Sequence, residues 1–347
     1  MARGFLDQLN LLARAIEEWG FRVNKEARQA SNLDVTWVVI GPNLRHIRQK
    51  LTLGIGTIMS GDAVSYLKMN GLGNDFVVID ARKRALTFTK DKVRWIADRE
   101  QGVGCDQLII MEAPRNEDAD IFMRIYNAEG GEVDACGNAT RCVGYLMAEE
   151  LGRADVTIQT NAGLLLSRLD GKNVTVDMGV PRLQWQMIPL AEQFEDTTGI
   201  ELQIGPIDAP VLHTPSVVNV GNPHAIFWVD DLDAHDLSKA GPLLENHPVF
   251  PERANISLAQ VMSPTHIKVK VWERGAGLTK ACGTAACAVG VAAVRKGFAD
   301  GKIDVELPGG ILQIEWRDSD KHIMMTGPYE TEFEGELPAD LFEDDAA

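Results

Sequence analysis

The chain lacks what a secreted, membrane-spanning or nucleic-acid-binding protein requires. No apolar run reaches the ~20 residues needed to cross a bilayer. The start has no charged segment, apolar stretch and small-residue cleavage site in the order of a secretory signal, so a cytoplasmic location is expected. Lys and Arg number 34 against 50 Asp and Glu, a formal charge of −16. A clustered basic surface is therefore missing, and neither a nucleic-acid nor a membrane partner is expected. Cysteine is sparse and odd in number: Cys105, Cys136, Cys142, Cys282 and Cys287 show no CxxC spacing, and no HxxxH or HExxH group completes a metal set. That excludes a disulfide framework, leaves reduced thiols as the default and argues against structural zinc.

What is present is a globular composition, 45% hydrophobic and 24% charged over 347 residues, enough for two domains of ordinary size. Charge is uneven. Residues 1–64 hold eight basic and six acidic residues, or +2, leaving 26 basic and 44 acidic, or −18, for the remaining 283. The front is a different piece.

The rest contains itself twice. Tyr126-Asn-Ala-Glu-Gly-Gly-Glu-Val-Asp-Ala-Cys136-Gly-Asn-Ala matches Trp272-Glu-Arg-Gly-Ala-Gly-Leu-Thr-Lys-Ala-Cys282-Gly-Thr-Ala at a shift of 146 residues. At that shift Gly131 falls on Gly277, Gly137 on Gly283, and Val143-Gly144 on Val289-Gly290. Gly73-Asn74-Asp75-Phe76 likewise resembles Gly221-Asn222-Pro223-His224, while a stretch near 184–210 has no counterpart. Expected domains are an extension over 1–64, a first half over 65–180 joined by about 327–338, and a second half over 181–326.

Within each half, short β-type runs precede a turn, a helix and further strands. Strands are predicted at 76–79, 107–111, 121–126, 156–159, 174–178, 303–307, 311–316 and 322–325, with helices at 137–151 and 283–296. The second helix is a run of Ala, Val and Gly with almost no polar residue before Arg295, which reads as buried on all sides. The expected fold class is α+β: two pseudo-symmetric domains, each a curled, mostly antiparallel sheet around one central helix.

Cys136 and Cys282 each precede a glycine at a helix entrance, where N–H groups are unpaired and the macrodipole is positive. Such a site is expected to lower a thiol from its ordinary pKa of about 8.5, and the same N–H groups can grip a carboxylate. Two such ends facing one carbon would let one sulfur remove a proton while the other delivers one. For either cysteine alone, simple packing explains the position equally well; the duplication favours the chemical reading. Cys142 and Cys287 lie within the helices at unequal offsets and read as core.

Seven segments resemble the diaminopimelate epimerase family: Met69-Asn-Gly-Leu-Gly-Asn-Asp-Phe76, Gly104-Cys-Asp-Gln107, Tyr126-Asn127, Ala135-Cys-Gly-Asn138, Gly221-Asn-Pro-His224, Glu273-Arg-Gly-Ala-Gly277 and Ala281-Cys-Gly-Thr-Ala-Ala-Cys287. The resemblance covers about 65–336. It implies conversion of LL-2,6-diaminoheptanedioate to the meso form for lysine and peptidoglycan synthesis, without pyridoxal phosphate or any other cofactor or metal, by a homodimer. It makes Cys136 and Cys282 the base and acid. It assigns substrate contacts to Asn74, Gln107, Asn127, Gly137, Asn138, Asn222, Asn255, Glu273, Arg274, Gly283 and Thr284, and gives His224 and Glu273 a part in adjusting cysteine protonation. For His224 the plain alternative is a satisfied core histidine, and for Glu273 a salt bridge to Arg274. Where the family often has Gly-Asn-Gly after the first cysteine, Ala139 and Thr140 follow Gly137-Asn138 here.

The first 64 residues depart from that family. A helix over 5–19 and a β-run over 35–40 are predicted there. The expectation is a start codon assigned too early, with a loosely packed segment; the alternative is a genuine regulatory or partner-binding extension. Three rival functions remain at this stage. Proline-type racemases and phenazine-type isomerases share the fold. A thiol sensor would join Cys136 to Cys282, and a ligand-binding module would need neither thiol.

Overall fold

The computed structural model describes residues 63–338 and 340–342, together with the backbone of three strands in the front segment. The chain divides into two compact units, residues 1–62 and 63–347. In the first, Arg22–Glu26, Val35–Ile40 and Ile47–Leu51 form an antiparallel sheet in that order. The β-run expected over 35–40 is thus a strand, whereas the helix expected over 5–19 lies outside the described residues.

The second unit carries the repeat. Its first half runs through β1 (Val64–Asn70), β2 (Asp75–Asp80), helix α1 (Lys90–Ala97), β3 (Gln107–Glu112), β4 (Ile121–Asn127), helix α2 (Gly137–Leu151), β5 (Asp155–Thr160), β6 (Gly163–Asp170) and β7 (Asn173–Asp177). The second half repeats the series with β8 (Ser216–Asn219), β9 (Pro223–Trp228), helix α3 (Leu237–Glu245), β10 (Asn255–Ser263), β11 (His266–Glu273), helix α4 (Gly283–Arg295), β12 (Lys302–Leu307), β13 (Gly310–Trp316) and β14 (Ile323–Pro328). A final strand, β15 (Glu330–Leu337), returns to pair with β1.

The duplication extends to strand register. β2 and β3 pair in parallel with Phe76 opposite Gln107, and β9 and β10 do the same with His224 opposite Asn255. β4 and β5 pair in parallel with Ile121 opposite Ile158, matching Ile267 opposite Val305 between β11 and β12. Each half therefore holds two parallel pairs within an otherwise antiparallel sheet. The halves join where β7 runs antiparallel to β14, with Val176 opposite Met325.

Each sheet curls around its long helix: α4 is too apolar to leave a face in water, and α2 is enclosed up to its last turn, where Glu149, Glu150 and Leu151 are exposed. Ten of the thirteen residues of α4 are buried, among them Ala285, Cys287, Val289 and Val291. They pack against Val218, Ile226, Ile267, Val305, Ile314 and Met325 from strands on all sides. Helix α2 is enclosed in the same way by Phe76, Ile109, Ile125 and Ile158. Close approach is what makes glycine necessary inside these helices: a Cβ on Gly290 would sit 2.7 Å from Ile314 Cγ2, and one on Gly144 2.7 Å from Ser167 Oγ. The strand positions concerned are themselves counterparts in the repeat.

One expectation needs extension. Each half has a second, shorter helix, α1 or α3, packed on the outer face of its sheet over a separate apolar layer built on Leu108 and Ile110 or on Ala225 and Phe227. The stretch near 184–210 contributes a short helical turn, Trp185–Met187, and buries Ile188, Ile200 and Leu202 in that outer layer of the second half. Among the described residues no helix is long and apolar enough to cross a membrane.

Candidate active site

Cys136 and Cys282 are the N-cap residues of α2 and α4, both in extended conformation, with φ/ψ of −147/110° and −137/107°. Cysteine is a weak cap compared with Ser or Asp, because sulfur is a poor acceptor. The only side-chain cap bond formed is Ala139 N–H to Cys136 Sγ, at 3.5 Å. Capping strength therefore does not account for cysteine at both positions.

The two helix starts share one neighbour across the join between halves. A Cβ on Gly137 would lie 2.8 Å from Met325 Cε, and one on Gly283 would lie 2.9 Å from Met325 Sδ and 3.4 Å from Asn138 Oδ1. Both N-termini thus converge on the same side chain of β14.

Around Cys136 the polar groups form a chain. Its thiol points to Asn74 Oδ1 at 3.9 Å, which also accepts from Asn138 Nδ2 at 3.4 Å. Asn74 Nδ2 donates to Asp106 at 2.9 Å, and Asp106 is in turn held by Arg99. Gln107 donates to Asn127 Oδ1 at 2.9 Å, leaving Gln107 Oε1 buried without a partner.

The counterpart positions around Cys282 differ in charge. Cys282 Sγ sits 3.5 Å from Thr284 Oγ1. Glu273, at the position matching Asn127, accepts a short hydrogen bond from Thr279 and lies near enough to Cys282 for its charge to act on the thiol. The salt bridge to Arg274 that was the plain alternative for Glu273 does not form among the described residues: Arg274 Nη1 donates to the Glu252 carbonyl at 2.9 Å, and its backbone N–H donates to Asn255 Oδ1 at 2.9 Å. Arg274 also lines an open depression with Arg182, Asn219, Gly221, Pro223 and Glu252, next to Asn222. His224 is fully buried. Its Nε2 meets Asn222 Oδ1 at 2.8 Å and its Nδ1 has no partner. His224 therefore touches Asn222, and no described contact joins it to either sulfur.

The electrostatics correct one expectation. Helix-end N–H groups do favour thiolate at both cysteines, but burial opposes them and wins, so both thiols lie above their ordinary range. Cys282 is pushed up further by the adjacent Glu273 charge. Glu273 is itself raised by burial, while His224 is lowered to about 3 by burial and by Arg274. At neutral pH the unliganded site therefore holds two protonated thiols and a neutral imidazole. Cys142 and Cys287 are fully buried and pushed up to about 12, as core thiols should be.

Sequence reasoning missed Asp106, Glu245, Met325 and Arg141. Asp106 anchors Asn74, and its place beside Gln107 in the Gly104-Cys-Asp-Gln107 segment could have pointed to it. Glu245 on α3 accepts from Trp272 Nε1 at 2.7 Å and Gly275 N–H at 3.0 Å, fixing the turn after Glu273. Met325 carries no polar signal at all.

A doubled sheet whose matched halves each enclose a long helix defines the class of fold, a two-lobed α+β architecture. Solved structures with this fold include a phenazine biosynthesis protein of the PhzF family from Bacillus anthracis, 19% identical, with a TM-score of 0.56 over 80% of this chain and 100% of its own. A hydroxyproline epimerase from Agrobacterium vitis, solved with bound trans-4-hydroxy-L-proline, is 13% identical, with a TM-score of 0.57 over 79% of this chain and 92% of its own. The family model described as diaminopimelate epimerase matches residues 66–184 and 216–332, leaving out most of the stretch that lacks a counterpart. A diaminopimelate epimerase from Rhodopseudomonas palustris (strain BisB18) is 54% identical over 279 residues, which is 80% of this chain and 96% of the relative. The chain belongs to the diaminopimelate epimerase family.

Proposed function

We propose that this chain interconverts LL- and meso-2,6-diaminoheptanedioate by two-base proton transfer through Cys136 and Cys282. The observation that carries the reading is the pair of capping cysteines at equivalent positions, on helix starts that converge on Met325. One sulfur, as thiolate, takes the α-proton from one face of the carbon. The other, as thiol, gives its proton to the opposite face. The configuration inverts, and the two sulfurs exchange protonation states, so reversing the direction exchanges their roles.

The supporting residues fit a diamino diacid. The N–H groups of Gly137, Asn138, Gly283 and Thr284 at the helix starts suit the carboxylate at the reacting carbon. The amides of Asn74, Gln107, Asn127, Asn222 and Asn255 supply acceptors and donors around it, and Arg274 suits the distant carboxylate. Glu273 adjusts Cys282 directly. His224 acts through Asn222.

Because both thiols rest protonated, the substrate's own charges have to favour formation of the first thiolate. The chemistry requires no pyridoxal phosphate or metal. The enzyme acts in the cytoplasm as a homodimer, in lysine and peptidoglycan precursor synthesis, with halves bounded near 65–180 plus 327–338 and 181–326. The test is to incubate purified protein with the LL isomer in buffer containing a metal chelator and no pyridoxal phosphate. Formation of the meso isomer, followed by chiral chromatography, supports the reading; no conversion refutes it.

A further inference from the structure

Arg141 lies on α2 one turn beyond Cys136 and is fully buried. Its Nε donates to the Pro328 carbonyl at 3.1 Å and its Nη1 to Asn138 Oδ1 at 3.0 Å, while Nη2 has no partner among the described residues. No carboxylate there lies within ion-pair distance. An isolated buried guanidinium is costly, and the surrounding backbone is shaped to admit it. A Cβ on Gly327 would come within 3.1 Å of Nε, and one on Gly71 within 3.4 Å of Nη2. The charge therefore sits where β14 meets the first half, roofed by Gly71 and Gly327.

The repeat sharpens this. At the 146-residue shift, Arg141 falls on Cys287 and Asn127 on Glu273. The Cys136 side thus has a cation and neutral amides where the Cys282 side has a thiol and a carboxylate. The charged groups acting on Cys136 are Arg141, from its own helix, and Glu273, from β11, with opposite effects. The guanidinium also sets amide orientation. By donating to Asn138 Oδ1 it turns Asn138 Nδ2 toward Asn74, whose Oδ1 is then the acceptor at the Cys136 sulfur.

We infer that Arg141 is a positioning residue for the Cys136 side alone, orienting Asn138 and Asn74 and supplying the cation that balances a thiolate at Cys136. The inference rests on the proposed two-cysteine chemistry, so its first readout is taken without substrate and turnover is measured beside it. The rates at which iodoacetamide alkylates Cys136 and Cys282 are measured by peptide mass spectrometry from pH 6 to 10, in wild type, R141M and R141K.

Losing the cation should slow Cys136 alkylation at pH 8 about tenfold or more in R141M and move its midpoint upward, since a nearby charge is worth about one pKa unit or more. Cys282 should change less than about twofold. R141K should restore most of the Cys136 rate while epimerisation remains well below wild type, because an ammonium cannot hold Asn138 and the Pro328 carbonyl in a fork. Should R141M lack a cooperative melting transition, R141K decides: near wild-type alkylation with at least about fivefold lower kcat supports the role, and unchanged kcat overturns it. Equal effects on the two cysteines, or none, also overturn it. If the wild-type chain converts no diaminopimelate, the proposed function falls while the alkylation asymmetry can still be read.

Discussion

Val176 pairs with Met325 across β7 and β14, and each occupies the other's position in the internal repeat. The local two-fold axis therefore passes through this pair, and the Met325 side chain is what the starts of both α2 and α4 rest upon. Beside it, Thr175 and Thr326 share a hydroxyl contact of 2.7 Å. Met325 is fully buried. Shortening it in M325A should cost about 2 to 5 kcal/mol, the usual range for an emptied methionine site, and should lower kcat by loosening both helix ends together. Urea denaturation reads the first effect and steady-state kinetics the second. M325L should retain most of both.

Glu273 raises the Cys282 thiol through its charge, after burial itself. E273Q removes the charge and leaves a similar shape. Cys282 alkylation at pH 8 should therefore quicken in the variant, while epimerisation falls by about a hundredfold or more, the scale of a lost acid–base participant. Faster alkylation with unchanged turnover would show that Glu273 tunes the thiol without serving the reaction.

His224 titrates near 3 in the folded chain and near 6.5 when unfolded, because burial and the Arg274 charge both oppose its cation. The unfolded chain takes up the proton first as pH falls. Stability from this residue is thus complete above about pH 6.5 and is lost below it, by at most about 1.4 kcal/mol per pH unit, levelling off near pH 3. H224Q should flatten that slope. Urea midpoints at pH 7, 6 and 5 for the two proteins make the comparison.

How far the sequence could be read depended on the range of the interactions involved. Helix α2 was expected over 137–151 and runs Gly137–Leu151; α4, expected over 283–296, ends one residue earlier. In both, a Cys-Gly start and a glycine just past the end (Gly152, Gly297) are local signals. Helices α1 and α3 went unread. The first is eight residues long, with Thr89 as its cap, and the second carries Pro242 inside it, which reads as a break. The paired cysteines were legible because a duplication repeats them. Arg141 was not, since its backbone acceptor, the Pro328 carbonyl, lies 187 residues away along the chain. The raised thiols could not be foreseen either: helix-end N–H groups are visible in sequence, whereas the burial that outweighs them is a property of the assembled fold.

Proton exchange at the α-carbon tests the central claim, that two sulfurs act from opposite faces. The chain is incubated with the LL isomer in deuterated water, and deuterium is measured at early times in product and recovered substrate. The two-base account predicts deuterium at the inverted carbon of the meso product with little in recovered LL substrate, and no inversion by C136A or C282A. Equal early labelling of substrate and product, or epimerisation surviving either substitution, would contradict it.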